Sequence, residues 1–344
     1  MKKVTTALAL AGSLLALAGC GEDDTEGSGT AAKGDGKLTI YSGREEELVA
    51  PLFDTFERQT GTEVEVRYGD SAELAAAIAE EGDNSPAEVF FAQDPGSLGA
   101  LETQLAELPE RILGRVPARY RDGDGRWVGT SGRVRVIAYN TDALAAREVP
   151  DSVFELVDPK WKGKVGVAPT NASFQAFVSA MRLSQGEPKT RKWLDDLKAN
   201  DVKLYEKNLP IVEAVASGEI ELGLVNHYYL YVAKEENPDA AVGNHFLKGA
   251  DPGALVSVAG AGVLRQADAK PEAERFVEFL LSDEGQRFYT EEAEEAEYPI
   301  VAGTAPKKGL PPLASLTGPD LDLSKLGSEL EATLKLLSDT GYTS

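Results

Sequence analysis

Apolar and polar positions alternate along the chain in a way that predicts short strands separated by helices. Residues 37–41 are an apolar-rich strand, and over 45–61 apolar side chains recur at helical spacing. A second strand covers 62–68, a helix covers 72–81 and a third strand covers 88–92. Strands that alternate with helices in this way predict a parallel α/β sheet.

Two long apolar runs interrupt this alternation. Residues 127–139 exceed an ordinary strand of about 5–6 residues, so they predict a strand that passes from one lobe to another. A second series of strands and helices starts at Lys164, and the run 255–264 predicts the return crossing. Residues 271–289 predict one amphipathic helix. We therefore expect two α/β lobes joined by a hinge, with a ligand cleft at the carboxyl ends of their strands.

The N-terminus has the pattern of a secretion signal. Lys2 and Lys3 precede an apolar run over 4–18, which is shorter than the roughly 20 residues that a membrane span needs. Small residues then precede Cys20, a pattern similar to the bacterial lipobox, in which the cysteine is acylated. An ordinary signal peptide is the alternative. The small, acidic residues 21–36 predict a flexible tether.

Charge and cysteine content limit the possible partners. The formal net charge is −22, and such a surface repels phosphate backbones, so we expect no nucleic-acid partner. The same charge concentrates cations, although the solubility of an exported protein explains it equally well. Cys20 is the only cysteine, which excludes a disulfide framework and a thiolate metal site.

Eight short motifs occur in the same order as in a known family, over about residues 38–299. They are Tyr41-Ser-Gly-Arg, Ser131-Gly-Arg-Val-Arg, Tyr139-Asn-Thr, Pro159-Lys-Trp-Lys-Gly163, Pro169-Thr, Asn226-His-Tyr-Tyr229, Asp251-Pro-Gly-Ala-Leu255 and Glu284-Gly-Gln286. Together they resemble the ferric-ion-binding proteins of bacterial iron ABC importers. The resemblance implies a two-lobed, periplasmic-binding-protein-like (type II) fold, with Fe(III) and an anion in the cleft. It also implies a binding protein and not an enzyme, expected to be a monomer that delivers its cargo to an ABC permease.

The N-terminal pattern and the resemblance together give an expected division of the chain. The segments are a lipoprotein signal peptide over 1–20, the tether over 21–36, the first part of lobe one over 37–133, lobe two over 134–258, a return to lobe one over 259–297, and a C-terminal segment packing on lobe two over 298–344.

Tyr228 and Tyr229 are the candidate iron ligands, because adjacent tyrosines are ligands in the family. Fe(III) is a hard cation that prefers anionic oxygen donors, and a nearby multivalent cation stabilises a phenolate. Adjacent side chains of a strand point to opposite faces, so both rings reach one ion only if the chain leaves strand geometry. We expect Asn226 to be the N-cap of a helix that carries the pair, and His227 to be a non-ligating histidine. The alternative is that both rings belong to the core.

The lobe-one half of the site departs from the family pattern. The family histidine falls at Glu45, and the family glutamate falls at Gln93, with Asp94 next to it. Glu45 is either an oxygen donor from lobe one or a first-turn acid that favours the helix dipole. We predict that lobe one contributes a carboxylate, Glu45 first and Asp94 second.

The family places an anion, such as phosphate, carbonate or citrate, at a loop that corresponds to Thr170, Asn171, Ala172 and Ser173, with a second contact at Asn208. Free amides and hydroxyls at the start of a helix suit an anion. Ordinary helix capping is the alternative for both segments.

Two other functions stay open from the sequence alone. The same scaffold binds other small solutes, such as oxyanions, phosphonates or polyamines. A carboxylate-pair hydrolase is the enzyme alternative, because acidic residues are abundant. However, no Gly-x-Ser-x-Gly, His-Glu-x-x-His, P-loop or nucleotide-binding glycine motif occurs in the chain.

Overall fold

The computed structural model describes residues 36–292, 296–316 and 318–343. Cys20, the predicted signal peptide and the predicted tether up to residue 35 lie outside the described residues. No helix of the described ranges is long and apolar enough to cross a membrane.

The strands of the described residues are connected edge to edge in the order β2-β1-β3-β9-β4-β7-β5-β6, with β8 and β10 also pairing with β4. They are β1 (Lys37–Ser42), β2 (Glu63–Tyr68), β3 (Val89–Ala92), β4 (Trp127–Asn140), β5 (Val165–Val167), β6 (Lys203–Leu204), β7 (Leu222–Asn226), β8 (Val242–His245), β9 (Val256–Val263) and β10 (Tyr298–Pro299).

The α-helices of the described residues lie between these strands in sequence, except for the last two, which follow β10. They are α1 (Glu46–Thr60), α2 (Ser71–Glu81), α3 (Pro95–Ala100), α4 (Glu110–Leu113), α5 (Ala172–Gln185), α6 (Glu187–Ala199), α7 (Asn208–Ser217), α8 (Tyr229–Glu236), α9 (Lys270–Leu280), α10 (Asp283–Arg287), α11 (Lys325–Ser328) and α12 (Leu330–Asp339).

The strand β4 joins the two halves of this sheet, which we call lobe one and lobe two. Its first half pairs with β9 in lobe one, and its second half, from Arg135, pairs with β7 and β8 in lobe two. The crossing predicted for the long apolar run is therefore confirmed. The predicted parallel pairing is correct for β1 with β2 and β3, and for β5 with β6 and β7. Pairings that involve β4 and β9 are antiparallel, and β9, which was predicted as the return crossing, pairs with β3 and with the first half of β4 in lobe one.

Each lobe has its own aromatic core. In lobe one, Phe276 of α9 packs on Phe53 and Phe56 of α1, with ring centroids 5.6 and 5.2 Å apart. In lobe two, Phe177 of α5 lies 5.7 Å from Trp193 of α6. These buried aromatic clusters hold the helices against the sheet and so fix where the strand ends meet.

The single helix predicted over 271–289 is wrong. The chain breaks after α9, begins again at α10 and ends in a π-helical segment, Phe288–Glu292. Ser282 causes the break, because its hydroxyl accepts a hydrogen bond from the Gly285 amide and caps α10. A Cβ at Gly285 would lie 2.4 Å from the Phe279 carbonyl oxygen, so this turn requires glycine.

The C-terminal segment packs on lobe two, as expected, and it also contacts lobe one. Helix α11 packs on α3 of lobe one, where Gly327 meets the backbone of Gly96 so closely that a Cβ on either residue would overlap the other. Helix α12 packs on α5 of lobe two, where the Ser179 and Thr333 hydroxyls are 2.8 Å apart. The segment is thus a further connection between the lobes.

Candidate functional site

A cleft of about 1090 Å³ lies between the two lobes. Lobe one lines it with the turn that follows β1, the start of α2 and the segment 93–97, and lobe two lines it with the loop 170–173 and the residues that follow β7. The cleft brings together the predicted site residues Glu45, Asp94, Thr170, Asn171, Ala172, Ser173, Tyr228 and Tyr229. Asn208 does not line it.

Tyr228 and Tyr229 lie side by side on the lobe-two wall of this cleft. Their ring centroids are 4.4 Å apart with an interplanar angle of 36°, and only 4% of Tyr228 is exposed. Helix α8 begins at Tyr229, and Tyr228 occupies the N-cap position with helical backbone angles. The change from strand to helix therefore turns both rings toward one space, as the sequence required.

The predicted N-cap, Asn226, is wrong. Asn226 is the last residue of β7 and pairs with Arg135 of β4. The next amide, that of His227, still donates to the Val134 carbonyl over 2.9 Å, so strand pairing continues past the expected boundary. The helix therefore starts later than a side-chain cap at Asn226 would allow.

His227 is confirmed as a satisfied, buried histidine. Its Nδ1 accepts a hydrogen bond from the Val134 amide over 3.2 Å, and its Nε2 donates to the Ala296 carbonyl over 3.0 Å. Burial lowers the pKa of His227 to about 4, which keeps the ring neutral at physiological pH. Both ring nitrogens are thus occupied, and the ring fixes the backbone that carries Tyr228 and Tyr229.

The two lobe-one candidates differ in how their carboxylates are used. Glu45 is exposed at the N-cap position of α1, yet its side chain makes no capping hydrogen bond. Asp94 caps α3, since its Oδ1 accepts from the Ser97 amide and its Oδ2 from the Ser97 hydroxyl, both over 2.8 Å. The Glu45 carboxylate is therefore available to a ligand, whereas both oxygens of Asp94 already have a structural partner.

The loop 170–173 is held by a compact set of internal hydrogen bonds. The Asn171 Oδ1 accepts from the Ser173 amide over 3.0 Å and from the Ser173 hydroxyl over 2.6 Å, and so caps α5. Asn208, fully buried behind the loop, donates its amide to Asn171 Oδ1 and to Ser173 Oγ over 2.9 and 3.2 Å. The capping described as the alternative is present, and Asn208 supports the loop from behind.

Three buried arginines that line the cleft, Arg44, Arg133 and Arg135, had no role assigned from the sequence. Arg44 and Arg133 both donate to the buried carboxylate of Glu297, which also accepts from the Ser131 hydroxyl. The sequence could have indicated that Arg133 and Arg135 lie together, because residues two positions apart on one strand share a face.

Arg135 differs from the other two in its surroundings. Its Nη1 donates to Ser173 Oγ over 3.0 Å, its Nη2 donates to the Leu224 carbonyl over 2.9 Å, and the guanidinium lies over the rings of Phe174 and Phe177. Burial lowers the pKa of Arg135 to about 9, which still leaves it charged at physiological pH.

Comparison with known proteins identifies the family. Residues 84–323 match the family model described as bacterial extracellular solute-binding protein. The chain belongs to this family. Among curated members, the major ferric iron-binding protein of Neisseria meningitidis serogroup B is 36% identical, over 88% of this chain and 92% of that protein.

Solved structures of solute-binding proteins share the two-lobed fold. Iron-bound HitA from Pseudomonas aeruginosa is 36% identical with a TM-score of 0.80, over 89% of this chain and 99% of that one. The Trichodesmium protein IdiA (FutA), solved with iron and citrate, is 29% identical with a TM-score of 0.79, over 89% of this chain and 100% of that one. The predicted type II, two-lobed architecture of this solute-binding protein is confirmed.

Proposed function

We propose that this solute-binding protein captures ferric iron outside the cytoplasm and delivers it to the permease of an ABC importer. The observation that carries the proposal is the pair Tyr228 and Tyr229, whose adjacent rings face one cleft from a strand-to-helix junction. Two phenolates side by side suit a hard trivalent cation. The names of the relatives, which are iron-binding proteins, point the same way.

Lobe one supplies the opposing donor in this proposal. Two phenolates occupy only part of an octahedron, and closure of a hinge requires a ligand that binds the closed state better than the open one. Glu45 meets this need, since its carboxylate lines the opposite wall and caps no helix. Asp94 is the second choice, because a metal would have to compete with its bonds to Ser97.

An anion beside the iron completes the proposed site. The loop 170–173 lies in the same cleft as the tyrosine pair and opens helix α5, whose positive end favours negative charge. Phosphate, carbonate and citrate are the candidates. The solved relative that holds iron with citrate supports an anion of this kind.

Membrane anchoring by a lipid on Cys20 is part of the proposal and rests on the sequence pattern alone. The signal peptide over 1–20 and the tether over 21–36 are likewise proposed from the sequence pattern. Changing Cys20 to Ala should release the protein from membranes while iron binding stays unchanged. Wild-type protein found wholly soluble, with an unmodified Cys20, would contradict the anchor.

Metal loading tests the proposed cargo directly. Iron-depleted protein mixed with Fe(III) supplied as a weak chelate should develop a visible phenolate-to-iron charge-transfer band at one equivalent. Zn²⁺, Mg²⁺, molybdate and spermidine serve as competitors for the other cargoes that the scaffold could hold. Retention of one of these solutes in place of iron, with no visible band, would overturn the proposal.

A further inference from the structure

The three buried arginines of the cleft differ in whether a carboxylate lies at salt-bridge distance from them. Arg44 and Arg133 share the carboxylate of Glu297. Within residues 36–292, 296–316 and 318–343, Arg135 has no carboxylate at salt-bridge distance, although only 2% of it is exposed. Burying a charge without a counter-charge is unfavourable. Arg135 therefore needs an anionic partner, and no carboxylate of the described residues lies close enough to be one.

The hydrogen bonds of Arg135 lead directly to the loop 170–173. Its Nη1 donates to Ser173 Oγ, and Asn208 donates to the same oxygen. With two donors holding this oxygen, the single hydroxyl hydrogen of Ser173 is directed away from both, at present toward Asn171. An anion that accepts this hydrogen would take the place of Asn171 Oδ1, while Arg135 keeps the oxygen fixed.

One N–H donor of the Arg135 guanidinium makes no hydrogen bond within the described residues. Arg135 Nε is buried and has no hydrogen-bond partner among the described residues, while the side chain lines the cleft. The other two nitrogens are occupied by Ser173 and Leu224, and the two phenylalanine rings cover the group. The charge is therefore fixed in position next to the start of α5.

We propose that Arg135 is the charge-selecting residue of the anion loop: it positions the Ser173 hydroxyl and favours anions that carry two or more negative charges. This inference deepens the proposed function, on which it rests for the role of the anion. The carboxylate of Glu297 balances one of the two charges of Arg44 and Arg133, whereas Arg135 has no carboxylate partner among the described residues and so adds a full positive charge beside the anion loop. Neutral donors alone, such as amides and hydroxyls, would discriminate weakly between anions of different charge.

Anion titration without iron tests this inference separately from metal binding. Iron-free protein is titrated calorimetrically with sulfate, with phosphate and with monovalent nitrate. Wild type should bind sulfate and phosphate well above nitrate. In Arg135→Gln, sulfate affinity should fall by about tenfold or more, because a charge-assisted interaction is lost, and the preference over nitrate should disappear.

Three further variants separate charge from structure. Arg135→Lys keeps the charge without the fork of donors, so it should recover part of the preference for sulfate. Ser173→Ala removes the group that Arg135 positions, so affinity should fall while the preference over nitrate remains. Arg182→Gln is the matched control, because Arg182 lies on the same α5, pairs with Glu187 and Glu329, and does not line the cleft. Its anion binding should equal wild type.

The outcomes distinguish this inference from the proposed function. Wild-type sulfate affinity and preference in a folded Arg135→Gln would overturn the role of Arg135, even if iron binds as proposed. If Arg135→Gln does not fold, loss of the preference over nitrate in Ser173→Ala, or a folded Arg135→Lys that binds sulfate no better than nitrate, would overturn it equally. Absence of the visible iron band in wild type would instead overturn the proposed cargo and leave the anion titrations interpretable.

Discussion

The two walls of the cleft are built differently. On lobe two, Tyr228 is almost fully buried, its neighbour Tyr229 stacks against it, and the loop 170–173 is held from behind by buried side chains. On lobe one, Glu45 is exposed and its carboxylate caps nothing. Lobe two therefore presents fixed donors, whereas lobe one presents a donor whose position depends on closure.

This difference suggests an order of events. Little conformational entropy is lost when a ligand binds preorganised groups, so we expect the cargo to bind to lobe two first. The donor from lobe one then adds an attraction that exists only in the closed state, and this differential affinity drives closure. The buried cluster of Arg44, Arg133 and Glu297 forms a frame that links the turn after β1 to β4, close to the point where β4 passes into lobe two.

Breaking that frame should have the largest effect on stability. Glu297→Gln leaves two buried guanidinium groups without their carboxylate, so we expect a loss of about 3–5 kcal/mol in the free energy of unfolding. Chemical denaturation measures it. Glu278→Gln removes a half-buried partner of the exposed Arg111 and should cost less than about 1 kcal/mol. Equal losses in the two variants would show that the buried cluster does not stabilise the frame.

The same carboxylate predicts an acid dependence. Burial alone would raise the pKa of Glu297, but Arg133 and Arg44 outweigh burial and hold it below the ordinary value. A lowered folded-state pKa contributes stability above the unfolded value of 4.5, which is lost as pH falls through the folded value. Wild type should therefore lose stability below about pH 4.5 more steeply than Glu297→Gln. Parallel acid profiles would contradict this assignment.

An intermediate effect should separate Glu45 from its neighbour Glu46. Both residues line the cleft, but Glu45 has non-helical backbone angles whereas Glu46 is the first residue of α1, so their side chains leave the backbone in different directions. Glu45→Gln should weaken iron binding by about tenfold and reduce closure seen by solution scattering, because a charge-assisted contact is lost. Glu46→Gln should bind and close like wild type. If Glu45→Gln does so as well, water or the anion fills that side of the iron.

The smallest effect should come from Asp94. Its capping bonds to Ser97 predict that Asp94→Ala lowers the free energy of unfolding by about 1 kcal/mol. Asp94→Asn can keep a cap, so it should recover most of that loss. Iron affinity should change little in Asp94→Asn if Asp94 is structural. A large loss of iron binding at unchanged stability would instead identify Asp94 as a ligand.

Sequence reasoning was most successful where a local pattern decides the structure. The long apolar run at 127–139 predicted β4, and the adjacency of two tyrosines predicted a break in strand geometry. It failed where tertiary contacts decide. Pairing of the His227 amide with Val134 extends the strand past Asn226. The helix predicted over 271–289 fails for a local reason instead, because the Ser282 hydroxyl caps a new helix there.

The candidate site, like the fold, could be predicted from the sequence only where its residues are close together along the chain. Residues next to one another in sequence, such as the tyrosine pair and the loop 170–173, were found together because one turn of chain positions them. The cluster of Arg44, Arg133 and Glu297 joins residues more than 250 positions apart, so no local pattern reveals it. Likewise, only the fold shows that Asn208 lies behind the loop instead of in the cleft.

The central claim is that Tyr228 and Tyr229 bind Fe(III) as phenolates, and the visible spectrum of one double variant tests it most directly. Tyr228→Phe/Tyr229→Phe keeps both rings and removes both oxygens, and Tyr231→Phe, which changes a partly buried tyrosine of the same helix, is the control. The account predicts a charge-transfer band in wild type and in Tyr231→Phe, and neither band nor retained iron in the double variant. An unchanged band in the double variant would contradict it.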